Sequence, residues 1–231
     1  ATYYFEGIFD GNYKVIYNFS INNSSTYSGD LGLFGYLKGT IMNLKMYGGS
    51  VTLTKPDKSA GAFVGSMYEN SSIINCHNLG CNVTSDEISG SSNIGGIVGY
   101  SAGGDISLCC NFADIDNKST KNAYSGGIVG NAEGNPNINK CYNSGSISAG
   151  YLYKILHLIT SGTKQAYSGG ISGKGGKISY CYNTGDIASE SKDYYTITTY
   201  VYMYYVSVWV VGGGLIGSRD GVCSVSYTST Y

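Results

Sequence analysis

Apolar and polar residues alternate along this chain in short bursts, and the bursts recur. Lys177-Ile178-Ser179-Tyr180-Cys181-Tyr182-Asn183 changes polarity at nearly every step, the period of two expected of a half-buried strand. Ahead of such bursts stands an apolar core framed by glycine. Gly126-Gly127-Ile128-Val129-Gly130 is followed by Cys141-Tyr142-Asn143-Ser144-Gly145-Ser146-Ile147. The same order returns at Gly169-Gly170-Ile171-Ser172-Gly173 with Cys181-Tyr182-Asn183-Thr184-Gly185-Asp186-Ile187, and at Gly95-Gly96-Ile97-Val98-Gly99 with Cys109-Cys110-Asn111-Phe112-Ala113-Asp114-Ile115. Weaker copies lie at Gly61-Ala62-Phe63-Val64-Gly65 with Cys76-His77-Asn78-Leu79-Gly80, and at Gly32-Leu33-Phe34-Gly35 with Ile41 and Leu44. A last copy opens at Gly213-Gly214-Leu215-Ile216-Gly217.

The final glycines of these cores, at 35, 65, 99, 130, 173 and 217, are 30, 34, 31, 43 and 44 residues apart. Such periods mark solenoids, propellers or arrays, and a propeller blade needs about 40 residues or more. The three shorter spacings are too tight for blades. With 2 Pro and 35 Gly, and no helical period in the regular copies, the pattern predicts an all-β chain. The expected fold is a parallel β-solenoid of about six to seven coils, one domain over 1–231. Residues 1 to 26 form its first coil, with Asp10-Gly11-Asn12 as a tight turn. Two C-terminal coils carry longer insertions: Tyr151 to Ile159, the one place for a short helix, and Tyr194 to Val211, read as extra strands. Insertions in solenoids map to loops on one face, often the binding face. Gly80, Gly145 and Gly185 are expected to supply positive φ at a corner.

The glycine cores, each followed by an Ile-x-x-Cys-Tyr-Asn-x-Gly-x-Ile-like segment, resemble the GLUG repeat of bacterial and archaeal surface proteins. The opening Phe5-Glu6-Gly7-Ile8-Phe9-Asp10-Gly11-Asn12-Tyr13-Lys14-Val15-Ile16-Tyr17-Asn18-Phe19-Ser20-Ile21 is similar to the segment that often precedes the first such repeat. The resemblance covers most of the chain. It implies a β-solenoid on secreted or surface-attached proteins, and it implies no catalytic residues.

Composition narrows the partners. Net charge is −1 and 13% of residues are charged, so nothing favours nucleic acid or an anionic membrane. Tyrosine is over-used, at 24 residues, and with so few charges Tyr, Ser, Thr and Asn must form most of the surface. The uncharged stretch from Tyr194 to Ser218 is rich in Thr, Tyr, Val and Gly, which suits strands better than a membrane helix of about 20 apolar residues. No membrane insertion is expected. Ala1-Thr2-Tyr3-Tyr4-Phe5 has neither a basic start nor an apolar run, so the expected extracellular or cell-surface location requires a leader removed before Ala1.

Cys76, Cys109, Cys141 and Cys181 hold equivalent repeat positions and predict an inward stack of reduced thiols packed as small hydrophobes. Adjacent strands lie about 4.8 Å apart, whereas bridged Cβ atoms want roughly 3.5–4.5 Å, which disfavours disulfides between neighbouring rungs. Cys81, Cys110 and Cys223 lie off the stack and are freer to pair. Asn78, Asn111, Asn143 and Asn183 follow two residues behind the stacked Cys, and predict a ladder of amides bonded from rung to rung. Neither a metal nor a cofactor is expected, since no Cys-x-x-Cys or paired His appears. His77 and His157 lack catalytic partners. Asp114 and Asp116 share a strand face that could hold calcium, but without a repeat they read as solvated. Gly173-Lys174-Gly175-Gly176-Lys177 reads as a basic turn. Asn-x-Ser/Thr acceptors for glycosylation occur at Asn18, Asn22, Asn23, Asn70, Asn82 and Asn117.

The expected function is a non-enzymatic extracellular structural or adhesive solenoid, a candidate filament subunit. Neither Ala1 to Phe5 nor Val222 to Tyr231 reads as a cap, so end-to-end self-association is expected. The alternative is a carbohydrate-binding or carbohydrate-active β-helix whose Tyr-rich insertions stack on glycans. Catalysis would need clustered carboxylates or basic residues on one face, and both are scarce. Ice binding is disfavoured because no Thr-x-Thr recurs with the coil.

Overall fold

The computed structural model describes residues 3–23, 28–88, 90–119, 121–152, 164–192, 208–213, 216–218, 225–226 and 229–230. All described elements are strands and all their pairings are parallel. The chain winds as a β-solenoid. Each coil starts on a wall that follows the glycine core, built from Phe34–Leu37, Val64–Met67, Val98–Ser101 and the first residues of Val129–Asn139 and Ser172–Ser179. It turns onto a second wall, where Thr40, Ser72, Asp105, Asn137 and Lys177 stand in register. A narrow edge follows at Cys110–Asn111, Tyr142–Asn143 and Tyr182–Asn183. A third wall then runs through Asn82–Ile88, Ile115–Ser119, Ile147–Leu152 and Ile187–Lys192. The coil closes on a separate five-stranded sheet of Lys58–Gly61, Ser92–Gly95, Ala123–Gly126, Lys164–Gly169 and Val208–Gly213.

Between the first and last strands of that five-stranded sheet the chain makes about four closed turns. This is fewer than the six to seven coils counted from glycine markers. The coils before Lys58 have no strand in the sheet, only an isolated bridge from Leu31 to Ala60, so they contribute part-turns. Of the two expected insertions, Tyr151 to Ile159 and Tyr194 to Val211, the described parts belong to regular strands. Tyr151 and Leu152 end Ile147–Leu152, and residues 208–211 pair with Lys164–Gly169 as the next strand of the closing sheet. The rest lies outside the described residues, as does most of Val222 to Tyr231.

Stacked apolar columns fill the interior. Ile41, Ile73, Ile106, Ile138 and Ile178 form one behind the second wall, and Val51, Val83, Ile115 and Ile147 another behind the third. β-branched residues suit these positions because their stiff side chains pack on a pleated surface.

The corner before the narrow edge differs from expectation. The left-handed residue stands immediately ahead of the inward column, at Asn43 (φ 53), Asn75 (φ 52), Leu108 (φ 57), Lys140 (φ 52) and Tyr180 (φ 52). It therefore breaks the strand that the alternation from Lys177 to Asn183 predicts, and Ile178 and Cys181 both face inward although three residues apart. Of Gly80, Gly145 and Gly185 only Gly80 has positive φ, +117. Gly145 and Gly185 are required for a different reason: a Cβ there would overlap the backbone carbonyls of Ala113 and Gly145 in the coil beneath. The tight turn expected at Asp10-Gly11-Asn12 is instead a bulge inside the single strand Ile8–Asn22, a register shift where Asn12 and Tyr13 have positive φ and the Asn12 N–H donates to Asp10 Oδ1 at 2.9 Å.

The second glycine of the repeated core is held by packing. A Cβ on Gly127 would overlap the Gly170 carbonyl and the Asn143 side-chain amide, both buried. Gly127→Ala is expected to destabilise the protein by about 3 kcal/mol, the upper end of the usual cost of overpacking. A shift below about 1 kcal/mol in denaturant unfolding would mean the coil can open at this point.

Candidate functional site

Cys76, Cys109, Cys141 and Cys181 lie one above another just past the corner, with Leu44 in the coil below, and all four are at most 1% exposed. Each is a free thiol facing one carbonyl two residues back in its own coil and another in the coil beneath. Cys109 Sγ points at Ser107 O (3.2 Å) and Ile73 O (3.7 Å). Cys141 Sγ points at Asn139 O (3.4 Å) and Ile106 O (3.8 Å), and Cys181 Sγ at Ser179 O (3.2 Å) and Ile138 O (3.5 Å). Burial pushes the Cys76 and Cys141 thiols up, and their neighbouring thiols push further the same way. Off the column, Cys81 is buried and Cys110 half-buried, both unbridged. Burial raises Cys81 to about 11, and burial with the nearby Cys109 raises Cys110 to about 12. Reactive cysteines need the opposite, a stabilised thiolate. Cys223 lies outside the described residues.

Asn78, Asn111, Asn143 and Asn183 form a continuous buried ladder. Asn78 Nδ2 donates to Asn111 Oδ1 at 2.9 Å, Asn111 to Asn143 at 2.8 Å, and Asn143 to Asn183 at 2.6 Å. Each Nδ2 also closes its own turn, donating to Cys81 O, Ala113 O, Gly145 O and Gly185 O at 2.8–2.9 Å. Asn78 adds a bond to Gly96 O at 3.0 Å. Both amide donors of the fully buried Asn78, Asn111 and Asn143 are thereby used, as burial requires.

The glycosylation acceptors divide. Asn18, Asn22, Asn70 and Asn82 are exposed. Asn117 is fully buried, with Nδ2 donating to Tyr124 O (3.1 Å) and Ser92 O (3.3 Å) and Oδ1 accepting from Ser85 Oγ (3.0 Å). Asn23, 7% exposed, donates to Gly29 O and accepts from Thr54 N. A glycan on either would displace these bonds and the packing around them, so both are corrected to structural residues.

The remaining candidates are engaged locally. Asp114 Oδ1 accepts from Ser146 N (3.0 Å), and Asp116 accepts from Ser148 Oγ (2.6 Å) and pairs with Lys118 at 2.9 Å. Burial, then the cation of Lys45, lowers the pKa of His77. His157 lies outside the described residues. Among the described residues no three His, Cys, Asp or Glu side chains are grouped to hold a metal, and no helix is long and apolar enough to cross a membrane. Lys174 is part of the strand Ser172–Ser179 rather than a turn. Only Gly175 (φ +69) and Gly176 (φ +93) bend the chain there.

Two outer surfaces escaped the sequence reading. Along the narrow edge, Tyr142 and Tyr182 stack at 4.4 Å and 26°, and Phe112 meets Tyr142 edge-on at 5.5 Å. Tyr17 and Tyr47 pair at 5.8 Å in the coils below. Leu108 and Tyr180, turned outward by the left-handed corner, extend the stripe. The available signal was the aromatic directly after Cys141 and Cys181. On the third wall, a polar–Ile/Val–polar triplet repeats in register: Ser20-Ile21-Asn22, Ser50-Val51-Thr52, Asn82-Val83-Thr84, Asp114-Ile115-Asp116 and Ser146-Ile147-Ser148, with Ala188 replacing the last polar residue in Asp186-Ile187-Ala188. Two shallow grooves lie on this wall, one at each end.

The GLUG motif matches residues 121–148. That segment covers the strand Ala123–Gly126, the turn onto Val129–Asn139, the narrow edge at Cys141 and Asn143, and the start of the third wall. It therefore spans one coil, with one rung of the thiol column and one of the amide ladder. No curated protein and no solved structure matches the chain.

Replacing Asn143 with Ala would strand the amide donor of Asn111 and the Gly145 carbonyl, and would leave Asn183 Oδ1 only the Gly185 N–H at 3.3 Å. At about 1–3 kcal/mol for each buried group left unpaired, a loss of at least about 2 kcal/mol is expected by denaturant unfolding. A loss under about 1 kcal/mol would show that water replaces the rung. The thiols predict a pH dependence. Their folded pKa values, about 11 for Cys81 and about 12 for Cys110, lie above the unfolded value of about 8.5. The unfolded chain therefore sheds its thiol protons first, and stability falls as pH rises from about 8.5 toward the folded values. A Cys81→Ala, Cys110→Ala double variant should flatten that alkaline decline. An unchanged decline would assign it to other groups.

Proposed function

We propose that this chain is a non-enzymatic, extracellular adhesive solenoid that holds glycans along its aromatic edge. The observation that carries the reading is the gathering of exposed rings on one edge: Tyr17 67%, Tyr47 56%, Phe112 48%, Tyr180 59% and Tyr182 42%, with Leu108 at 49%. Exposed apolar surface of this extent marks interaction sites, and tyrosine offers both an apolar face and a hydroxyl to a sugar. A binding rather than catalytic role is supported by the carboxylates of Asp30, Asp114 and Asp116, each taken up by local hydrogen bonds. The sparse charge of the whole chain points the same way.

A filament is the second reading, favoured by the strand Ile8–Asn22. Among the described residues it pairs only with Thr40–Leu53, which leaves its other edge able to accept a strand. Ile8 at its start is 73% exposed.

Glycan arrays probed with the wild type, Tyr142→Ala and Tyr182→Ala test the first reading. Each truncation is expected to weaken retention about tenfold, the equivalent of roughly 1.4 kcal/mol for one ring contact. Absence of any retained glycan, or variants that bind as tightly as wild type, would sink it. Sedimentation over a hundredfold concentration range tests the second, for which the expected outcome is growth into rods. A single monomeric species throughout would rule it out.

A further inference from the structure

On the wall that follows the glycine core, Asn131 stands directly opposite Lys174 in the next coil and Tyr100 in the previous one. The Lys174 side chain reaches toward the coil beneath rather than into solvent. Its Nζ lies 4.0 Å from Glu133 Oε1 and 5.7 Å from the centre of the Tyr124 ring. Tyr124, Asn131 and Glu133 all belong to the coil beneath, so the amine has descended one rung to the level of Asn131. The Lys174 side chain is only 16% exposed. Tyr124 is itself buried and stacked on Tyr167 at 5.3 Å and 12°. Asn131 is 6% exposed, and its Oδ1 is buried without a hydrogen-bond partner. This contrasts with the fully bonded amides of the Asn78 to Asn183 ladder. Glu133 is fixed from the other side, its Oε2 accepting from the Tyr100 hydroxyl at 3.3 Å.

An amine, a carboxamide and a carboxylate beside buried aromatic rings are the parts needed for amide exchange between side chains. We propose that Lys174 and Asn131 join in an intramolecular isopeptide bond, with Glu133 carrying the protons. Glu133 takes a proton from the Lys174 ammonium, and the neutral amine attacks Asn131 Cγ. The Nζ–Cγ bond forms and the Cγ–Nδ2 bond breaks. Of the three protons on the ammonium, one stays on the new amide nitrogen and two pass by way of Glu133 to Nδ2. Nδ2 keeps its own two and departs as ammonium. Charge is conserved, nothing is oxidised or reduced, and no cofactor takes part. The product ties two adjacent coils covalently on the wall opposite the thiol column. It does so with a bond that, unlike a disulfide, is indifferent to reducing agents. The proposal does not depend on the adhesive reading.

Intact mass spectrometry of the purified, folded chain is the direct test. The expected mass is lower than the sequence mass by one ammonia. Trypsin does not cut after an acylated lysine, so it should release a branched peptide in which 122–140 is joined to 165–177. Lys174→Arg keeps the cation but cannot form the bond, and Glu133→Gln removes the proton carrier. Both should show the full sequence mass and a lower thermal midpoint than wild type. A wild type at full sequence mass overturns the proposal, as does an ammonia loss that persists in Lys174→Arg. A Glu133→Gln protein that still forms the branched peptide overturns the role given to Glu133.

Discussion

The structure depends on a column of buried amides that must bond to one another. Asn78, Asn111 and Asn143 each offer one donor to their own turn and one to the amide oxygen of the next coil. A coil that slipped by one residue would leave a carboxamide unpaired inside the protein, at a cost of about 1–3 kcal/mol for each group. The ladder thereby fixes register, which parallel strands by themselves specify only through the facing of their side chains. It also dictates glycine. Gly96 and Gly127 lie against the amides of Asn111 and Asn143 so closely that no Cβ fits. The repeated glycine pair and the repeated asparagine, some fifteen residues apart in the chain, are two halves of one contact.

This constraint explains where the coil tolerates extra chain. Successive ladder residues are 33, 32 and 40 positions apart, yet the bonds between them keep the same length. The longer coil keeps its walls, and its extra length falls in the sequence between the strands Ile147–Leu152 and Lys164–Gly169. The turn at Asn78 absorbs one residue more by a different route: its amide reaches Cys81, three positions on, where Asn111 reaches Ala113, two positions on, and Gly80 takes up the difference with positive φ.

The inside of the solenoid is uniform because stacking repeats each inward side chain, and so the thiols pack as apolar filler. Burial pushes Cys76 and Cys141 up, while the hydrogen bond from Cys141 draws Cys181, the last rung, down. The same in-register stacking acts on the outside, where the residues vary. A tyrosine beside one ladder position and another in the next coil become a stripe, and short polar residues become a flat wall. A lysine and an asparagine in register come to share one column. Function in this architecture is set by which outward columns the coils bring together.

The sequence by itself determined the solenoid, the thiol column and the amide ladder, because each rests on one residue type recurring at one place in the period, and stacking turns recurrence into contact. It also determined the low charge, which leaves Tyr, Ser, Thr and Asn to form most of the surface. Only the tertiary structure decided where the corner falls. Asn, Leu, Lys and Tyr all occupy the left-handed position at Asn43, Asn75, Leu108, Lys140 and Tyr180, so no residue type announces it. The corner sets the face on which Leu108 and Tyr180 emerge, and with it the aromatic edge. Tertiary structure likewise buried Asn117 and Asn23, whose acceptor motifs say nothing of burial. It brought Lys174 down to the level of Asn131 and Glu133, a contact between coils made by a single lysine, at a position where no repeat could have marked it.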